Sequence, residues 1–342
     1  MQGLLTALIE TQEDLEVVGV AQDPYEARDK IKALKPDVIT LDVEMPKMDG
    51  ITFLEKLMRL RPMPVVMVSS LTEINASITL RALELGALDF VTKPKGNDKR
   101  ELVDFSTSLC EKLREASRTE LKPISHHKSP PLAETTTVYK PSSVIAIGAS
   151  TGGTEAIKEI LVRLPSNAPP IVITQHMPEM FTKLFAKRLD EMCSVTVTES
   201  TGDERLEAGH VYIAPGGWHM SVVRVGRYFE TKLDQTLPVN RHRPSVDVLF
   251  HSVAQSVESN AVGVILTGMG RDGADGLGAM KRAGAFTLAQ DQASCIVYGM
   301  PKVAIEAGYA DCVTPLDAIA SRMLEALASE QNKSETTQTS KP

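Results

Sequence analysis

Residues 143–153 read S-V-I-A-I-G-A-S-T-G-G. Val144–Ile147 is a short apolar run of the kind that forms a buried parallel strand. Gly148, Ser150 and Gly152 then spell G-x-S-x-G. Past Gly153, Ala156, Ile157, Ile160, Leu161 and Leu164 fall at helical spacing, which predicts a helix over Glu155–Leu164. A strand, a sharp glycine turn and a helix make the context of a nucleophile elbow. The turn holds the Ser150 hydroxyl clear of the sheet, and the helix start offers N–H groups to a developing oxyanion. The same segment also reads as a glycine-rich turn that packs closely or holds a phosphate. A base and an acid at the ends of other strands would favour the elbow.

Both candidates follow. Ile171–Thr174 is a predicted strand with His176 just past it in Q-H-M-P. Val262–Leu266 is a strong buried strand followed by T-G-M-G-R-D-G-A-D-G (267–276), which contains Asp272. Val195–Glu199, His210–Ala214 and Thr287–Gln290 are further strands, and Met180–Leu189 and Val246–Val257 are helices. Met220–Val225 and Arg227–Leu233 read as a hairpin turning at Gly226. The expectation is a doubly wound, mostly parallel α/β sheet with an antiparallel hairpin near one edge. Ser150, His176 and Asp272 would then share one rim as nucleophile, base and acid. Main-chain N–H groups near Met269 and at the elbow would form the oxyanion hole. Singly, His176 also reads as a surface histidine and Asp272 as a turn residue, and Asp275 rivals Asp272 for the acid role. Arg241 and Arg243 either steer an acidic helix to the site or make structural ion pairs and caps.

Upstream lies a second alternation. Residues 1–11 read as the end of an amphipathic helix, Leu15–Ala21 as a strand and Pro24–Leu34 as a helix begun by a proline. Val38–Leu41, Val65–Val68 and Phe90–Thr92 are strands; Thr52–Leu60, Glu73–Gly86 and the Leu102–Leu113 stretch are helices. Asp42, Ser69 and Lys93 fall at the carboxyl ends of the strands, where parallel sheets place their sites. An aspartate, a hydroxyl and a lysine there can accept a phosphoryl group and bind its oxygens. A lone strand-end Asp42 would otherwise be a helix cap or turn residue.

The 342 residues allow two domains, and a net charge of −7 without a basic block argues against nucleic-acid binding. No apolar run reaches membrane-span length, and the start lacks a signal-peptide pattern, so a cytoplasmic protein is expected. Cys110, Cys193, Cys295 and Cys312 form no C-x-x-C pair and read as reduced thiols. The expected organisation is a domain over 1–115, a flexible linker over 116–140, a second domain over 141–330 and a disordered tail over 331–342. His126-His127 reads as a solvated pair in the linker.

The first half resembles the receiver domain of response regulators through D-V-I-T-L-D-V-E-M-P-K-M-D-G (37–50), V-V-M-V-S-S (65–70) and D-F-V-T-K-P (89–94). The resemblance implies a flavodoxin-like fold with phosphorylation at Asp42, switch residues Ser69 and Lys93, and a mobile aromatic at Phe90. It also implies Mg²⁺, held by Asp42 and by two adjacent acids at the end of a preceding strand. No such pair occurs before residue 10. The receiver is therefore expected to lack its first strand and most of its metal site, and to be weakly switched.

The second half resembles the methylesterase domain of the CheB family, the chemotaxis protein-glutamate methylesterases. A-I-G-A-S-T-G-G (146–153), T-Q-H-M-P (174–178), Y-I-A-P-G-G-W-H-M (212–220), P-V-N-R-H-R-P-S-V-D-V-L-F (238–250), V-I-L-T-G-M-G-R-D-G-A (264–274) and A-Q-D-Q-A-S-C-I-V-Y-G-M-P (289–301) carry it. The family's triad falls on Ser150, His176 and Asp272, its oxyanion donor on Met269, and Thr151 follows the nucleophile. The resemblance implies hydrolysis of glutamyl methyl esters on methyl-accepting chemoreceptors, with deamidation of receptor glutamines. A chemotaxis histidine kinase would be the phosphodonor, the unphosphorylated receiver would cover the active site, and catalysis would need no cofactor. A monomer without membrane insertion is expected. A serine hydrolase of another ester and a non-catalytic, phosphate-binding regulatory module remain as alternatives.

Overall fold

The structure, a computed structural model, describes residues 1–45, 47–70, 72–94, 96, 98–119, 139 and 142–328. The chain divides into two compact units, Met1–His126 and His127–Pro342. Most of the expected linker, including His126-His127, and the expected tail lie outside the described residues.

The first unit runs α1 (Gln2–Ile9), α2 (Pro24–Leu34), β1 (Ile39–Asp42), α3 (Gly50–Leu60), β2 (Val65–Ser69), α4 (Glu73–Glu84), β3 (Asp89–Thr92) and α5 (Lys99–Arg118). Three of its helices start where side chains satisfy the first free N–H groups. Asp23 caps α2 ahead of Pro24, Asp49 caps α3 and Thr72 caps α4. The sheet is parallel in the order β1-β2-β3, with every β2 residue buried. Pairing of Asp42 with Val68 and of Ser69 with Thr92 brings Asp42, Ser69 and Lys93 to the same end.

One expected element is not present. Leu15–Ala21 is not a strand, and Val18 and Val20 stand 45% and 38% exposed. Its residues favour extended backbone, but a strand is made by a ladder, and no described segment pairs with it.

The second unit contains β4 (Val144–Ala149), α6 (Gly153–Leu161), β5 (Ile171–Gln175), α7 (Glu179–Asp190), β6 (Thr196–Glu199), β7 (His210–Ile213), β8 (His219–Val225), β9 (Tyr228–Asp234), α8 (Val246–Ser256), β10 (Ala261–Ile265), α9 (Ala274–Arg282), β11 (Phe286–Gln290), α10 (Met300–Glu306), β12 (Cys312–Thr314) and α11 (Leu316–Leu327). Seven strands make one parallel sheet, ordered β12-β11-β10-β4-β5-β7-β6. The chain winds outward from β4 to one side, then returns to build the other side from β10. The β4/β10 boundary is thus the topological switch point, where ligands bind in such sheets.

The expected antiparallel hairpin is present as β8–β9, which forms a two-stranded sheet of its own. It lies on α8, tied by Ser252 Oγ, which accepts from Val222 N at 2.9 Å, and by Ser256 Oγ, which donates to Val222 O at 2.8 Å. Its inward residues Met220, Val222 and Phe229 join Val246, Leu249, Phe250 and Val253 of α8 in one core cluster. Among the described residues no helix is long and apolar enough to cross a membrane.

Candidate active site

The site grows from the ends of β4, β5 and β10. Parallel pairing runs to Ala149↔Gln175, and His176 N donates to Ala149 O at 3.1 Å. Ser150 and His176 are therefore the next residues on neighbouring strands, about 5 Å apart at the backbone. On the other side Ser150 N donates to Thr267 O at 3.0 Å.

Two glycines make the elbow possible. Gly152 sits at φ +77°, in the left-handed region, and a side chain there would also meet Ile296. At Gly268 a Cβ would come within 2.7 Å of Ser150 Cβ and 2.4 Å of Met300 Sδ. The serine turn and the 267–270 loop thus close on each other only because Gly268 has no side chain. Side chains then brace the turn. Gln175 Nε2 donates to Ser150 O at 2.9 Å, and Thr267 Oγ1 to Thr151 O at 2.9 Å. Gln290 Oε1 accepts from Thr267 N at 2.8 Å. Met269 follows Gly268 in that loop, and its N–H has no acceptor among the described residues.

His176 and Asp272 meet directly, with Nε2 2.7 Å from Asp272 Oδ2 and side chains 7% and 1% exposed. The Asp272 carboxylate sits at the N-terminus of α8, where free N–H groups favour an anion. Oδ2 also accepts from Val246 N at 2.7 Å. Oδ1 accepts from Ser245 Oγ at 2.7 Å, Asn240 Nδ2 at 2.8 Å and Asp247 N at 3.3 Å. Burial alone would favour the neutral acid. The hydrogen bond and charge of His176, with the Asn240 and Ser245 bonds, outweigh it and hold the carboxyl well below its usual range. An ionised Asp272 accepts from Nε2–H, which leaves the lone pair of the neutral imidazole on Nδ1. That Nδ1 is buried and has no hydrogen-bond partner among the described residues. Nδ1 is thus the ring nitrogen left to accept a hydrogen bond on the side of the Ser150 turn, and Ser150 Oγ makes no hydrogen bond to it in this structure.

Other expected residues fall differently. Asp275 is half exposed on α9 and pairs with Arg271 at 2.9 Å, so the geometry favours Asp272 as the imidazole's partner. Arg243 Nη1 donates to the loop carbonyls of Gln235 and Thr236 at 2.8 and 2.9 Å, while Arg241 is exposed. His219 is buried as a strut between Leu237 O and Ser245 N. Sequence reading did not single out Asn240, Ser245, Gln175, Thr267 or Gln290. Only Ser245 carried a local signal, as a serine before the apolar start of α8.

In the first unit, Lys93 Nζ reaches both Asp42 oxygens, at 2.8 and 2.7 Å. Ser69 is fully buried and accepts from Thr79 Oγ1 at 2.8 Å. Phe90 is buried, with Lys112 Nζ 5.3 Å from its ring centre and donating to its carbonyl. A receiver's Mg²⁺ needs several oxygen ligands from clustered acids. No group of three or more acids, histidines or cysteines able to hold a metal occurs among the described residues. Asp42 is occupied by Lys93, and Glu44 Oε1 accepts from Asn75 Nδ2 at 3.0 Å. The described residues therefore do not fit the ion.

Residues 145–323 match the family model described as CheB methylesterase. The chain belongs to the CheB methylesterase family. Residues 1–104 match the response regulator receiver domain. A protein of Thiobacillus denitrificans named protein-glutamate methylesterase/protein-glutamine glutaminase is 56% identical over 96% of this chain and 94% of its own length. One from Bordetella avium with the same activity name is 57% identical over 95% of this chain and 93% of its own. The crystal structure of the Thermotoga maritima CheB methylesterase catalytic domain is 41% identical, with a TM-score of 0.53, covering 54% of this chain and 97% of that one. CheB methylesterases are hydrolases, and this one carries a response-regulator receiver ahead of its hydrolase domain.

Proposed function

We propose that this CheB-family enzyme hydrolyses glutamyl γ-methyl esters on methyl-accepting chemoreceptors, and deamidates receptor glutamines, through Ser150, His176 and Asp272. The observation that carries the reading is the buried His176–Asp272 pair, with its unpartnered Nδ1, beside a serine on a glycine turn. Ser150 Oγ attacks the ester carbonyl carbon while His176 Nδ1 takes its proton. Oxyanion charge falls on N–H groups of the Met269 loop and of the turn at Thr151. The imidazolium then protonates the leaving methoxide, which departs as methanol and leaves a γ-glutamyl ester on Ser150. Water attacks that ester, its proton passes to Nδ1, and glutamate leaves as Ser150 regains its hydrogen. A glutamine follows the same course with ammonia as the leaving group. Asp272 stays ionised throughout and holds the imidazole in one tautomer.

Asp42 would accept the phosphoryl group from a chemotaxis histidine kinase, with Lys93 as counter-cation and Ser69 and Phe90 responding, and the esterase rate would respond only weakly because the described residues do not fit Mg²⁺. Exposed Arg241 would meet the acidic substrate helix. The enzyme would act as a monomer in the cytoplasm. The test is methanol release from methylated receptor membranes by the full chain. Ser150→Ala should lower the rate by about three orders of magnitude or more while the protein stays folded. Near-normal release by folded Ser150→Ala protein would end this reading.

A further inference from the structure

A single tight turn touches both members of the buried pair. Asn240 and Arg241 have φ of +51° and +68°, and Val239 and His242 exchange backbone hydrogen bonds across them at 3.1 and 2.9 Å. Two consecutive left-handed residues make a two-residue hairpin turn of the kind usually built from Asn-Gly. Arginine gains nothing from that conformation, so the surroundings must impose it, and such strain concentrates at functional sites.

The turn's side chains point to its use. Asn240 Nδ2 donates to Asp272 Oδ1 at 2.8 Å and to Asp247 Oδ2 at 2.6 Å. One amide thereby bridges two buried carboxylates that would otherwise repel. Asp247 is held from its other side by Gly276 N, which donates to Oδ1 at 2.7 Å. Two residues on, the His242 ring lies flat on His176, with centroids 3.7 Å apart and planes 9° from parallel. The Asn240 bond, with those from Ser245 Oγ, Val246 N and Asp247 N, holds the Asp272 carboxylate so that Oδ2 faces Nε2. The stacked ring limits tilting of the imidazole plane about the Nε2–Oδ2 line, a motion that a single hydrogen bond does not resist.

We propose that Asn240 and His242 are positioning residues for the reaction, and that their shared turn holds the His176–Asp272 pair in register with Ser150. The inference rests on the reading of His176 as the base. A ring misaligned by about 1 Å can cost up to a hundredfold in rate. The effect should fall on kcat, because neither residue needs to touch substrate to act this way.

The experiment uses the full chain and methylated receptor membranes, with initial rates resolved into kcat and KM. His242→Ala should lower kcat about ten- to a hundredfold with KM within about twofold. His242→Phe keeps a flat ring in place and should recover most of the rate. Asn240→Ala should lower kcat comparably. Without substrate, the downfield proton resonance of the His176 Nε2–H···Asp272 bond should broaden or shift in His242→Ala and Asn240→Ala, and persist in His242→Phe. An unchanged kcat in His242→Ala, a loss carried by KM, or a His242→Phe as poor as His242→Ala would overturn the proposal. So would an unaltered resonance in both alanine variants. The resonance is read without turnover, so failure of the positioning role stays distinct from failure of the proposed chemistry.

Discussion

Each unit sets an aspartate against a basic side chain at the carboxyl end of a parallel sheet, and the two pairs differ in almost everything else. Lys93 and Asp42 are 18% and 28% exposed, and water competes for both. His176 and Asp272 are 7% and 1% exposed, and four further donors from 240–247 close around the carboxylate. An ion pair open to solvent contributes little and separates at little cost, which suits the proposed phosphorylation of Asp42. A carboxylate buried under five donors is a fixed negative charge, which suits the proposed role of orienting the His176 imidazole. The same two-residue device is thus loosely or firmly held according to its burial and its supply of donors.

The comparison breaks most visibly in stability. Asp272→Ala leaves Ser245 Oγ, the Val246 N–H and Asn240 without their shared acceptor, and should destabilise the second unit by about 3–5 kcal/mol. Asp42→Ala should cost the first unit no more than about 1 kcal/mol. Chemical denaturation of the full-length variants reads both, and equal losses would erase the distinction.

Acid sharpens the contrast. The folded Asp272 pKa lies below its unfolded value of about 4, so its stabilisation is complete above that value and is lost as pH falls toward the folded pKa. The gap in melting temperature between wild type and Asp272→Asn should hold steady from pH 7 to about pH 4 and narrow below. A gap that closes between pH 7 and 5 would contradict the assigned direction. The smallest effect is expected in the switch. With Asp42 facing Lys93 and no acid cluster beside it among the described residues, a small-molecule phosphodonor with Mg²⁺ should raise methanol release less than about twofold. A strong rise that Asp42→Asn abolishes would show that the described residues suffice for switching.

What could be read in advance follows physical locality. The apolar runs at Val144–Ile147 and Val262–Leu266 are buried on both faces, so composition alone marks them as parallel strands. Strand ends then locate Ser150, His176 and Asp272, since the rim of such a sheet is a topological consequence. Asn240 and His242 escape this logic, because their partners Asp272 and His176 lie far away in sequence and no local pattern encodes an amide bridge or a ring stack. Leu15–Ala21 fails for the complementary reason: its residues suit a strand, but a strand also needs a neighbour. Helix α9 hides in A-D-G-L-G-A-M-K-R, where glycines that lower helix propensity are required by close contact. A Cβ at Gly276 would lie 2.7 Å from Phe250, and one at Gly278 2.9 Å from Tyr309.

Buried Asp272, and not the exposed Asp275 nearby, is the proposed partner that orients His176 for catalysis by Ser150. The most direct measurement compares kcat for methanol release by Asp272→Asn and Asp275→Asn in the full chain, each checked for folding. The account predicts a fall of about four orders of magnitude for Asp272→Asn, whose amide cannot hold Nδ1 as the basic nitrogen, and a change of less than about twofold for Asp275→Asn. A folded Asp272→Asn enzyme with near-normal turnover, or a crippled Asp275→Asn, would contradict it.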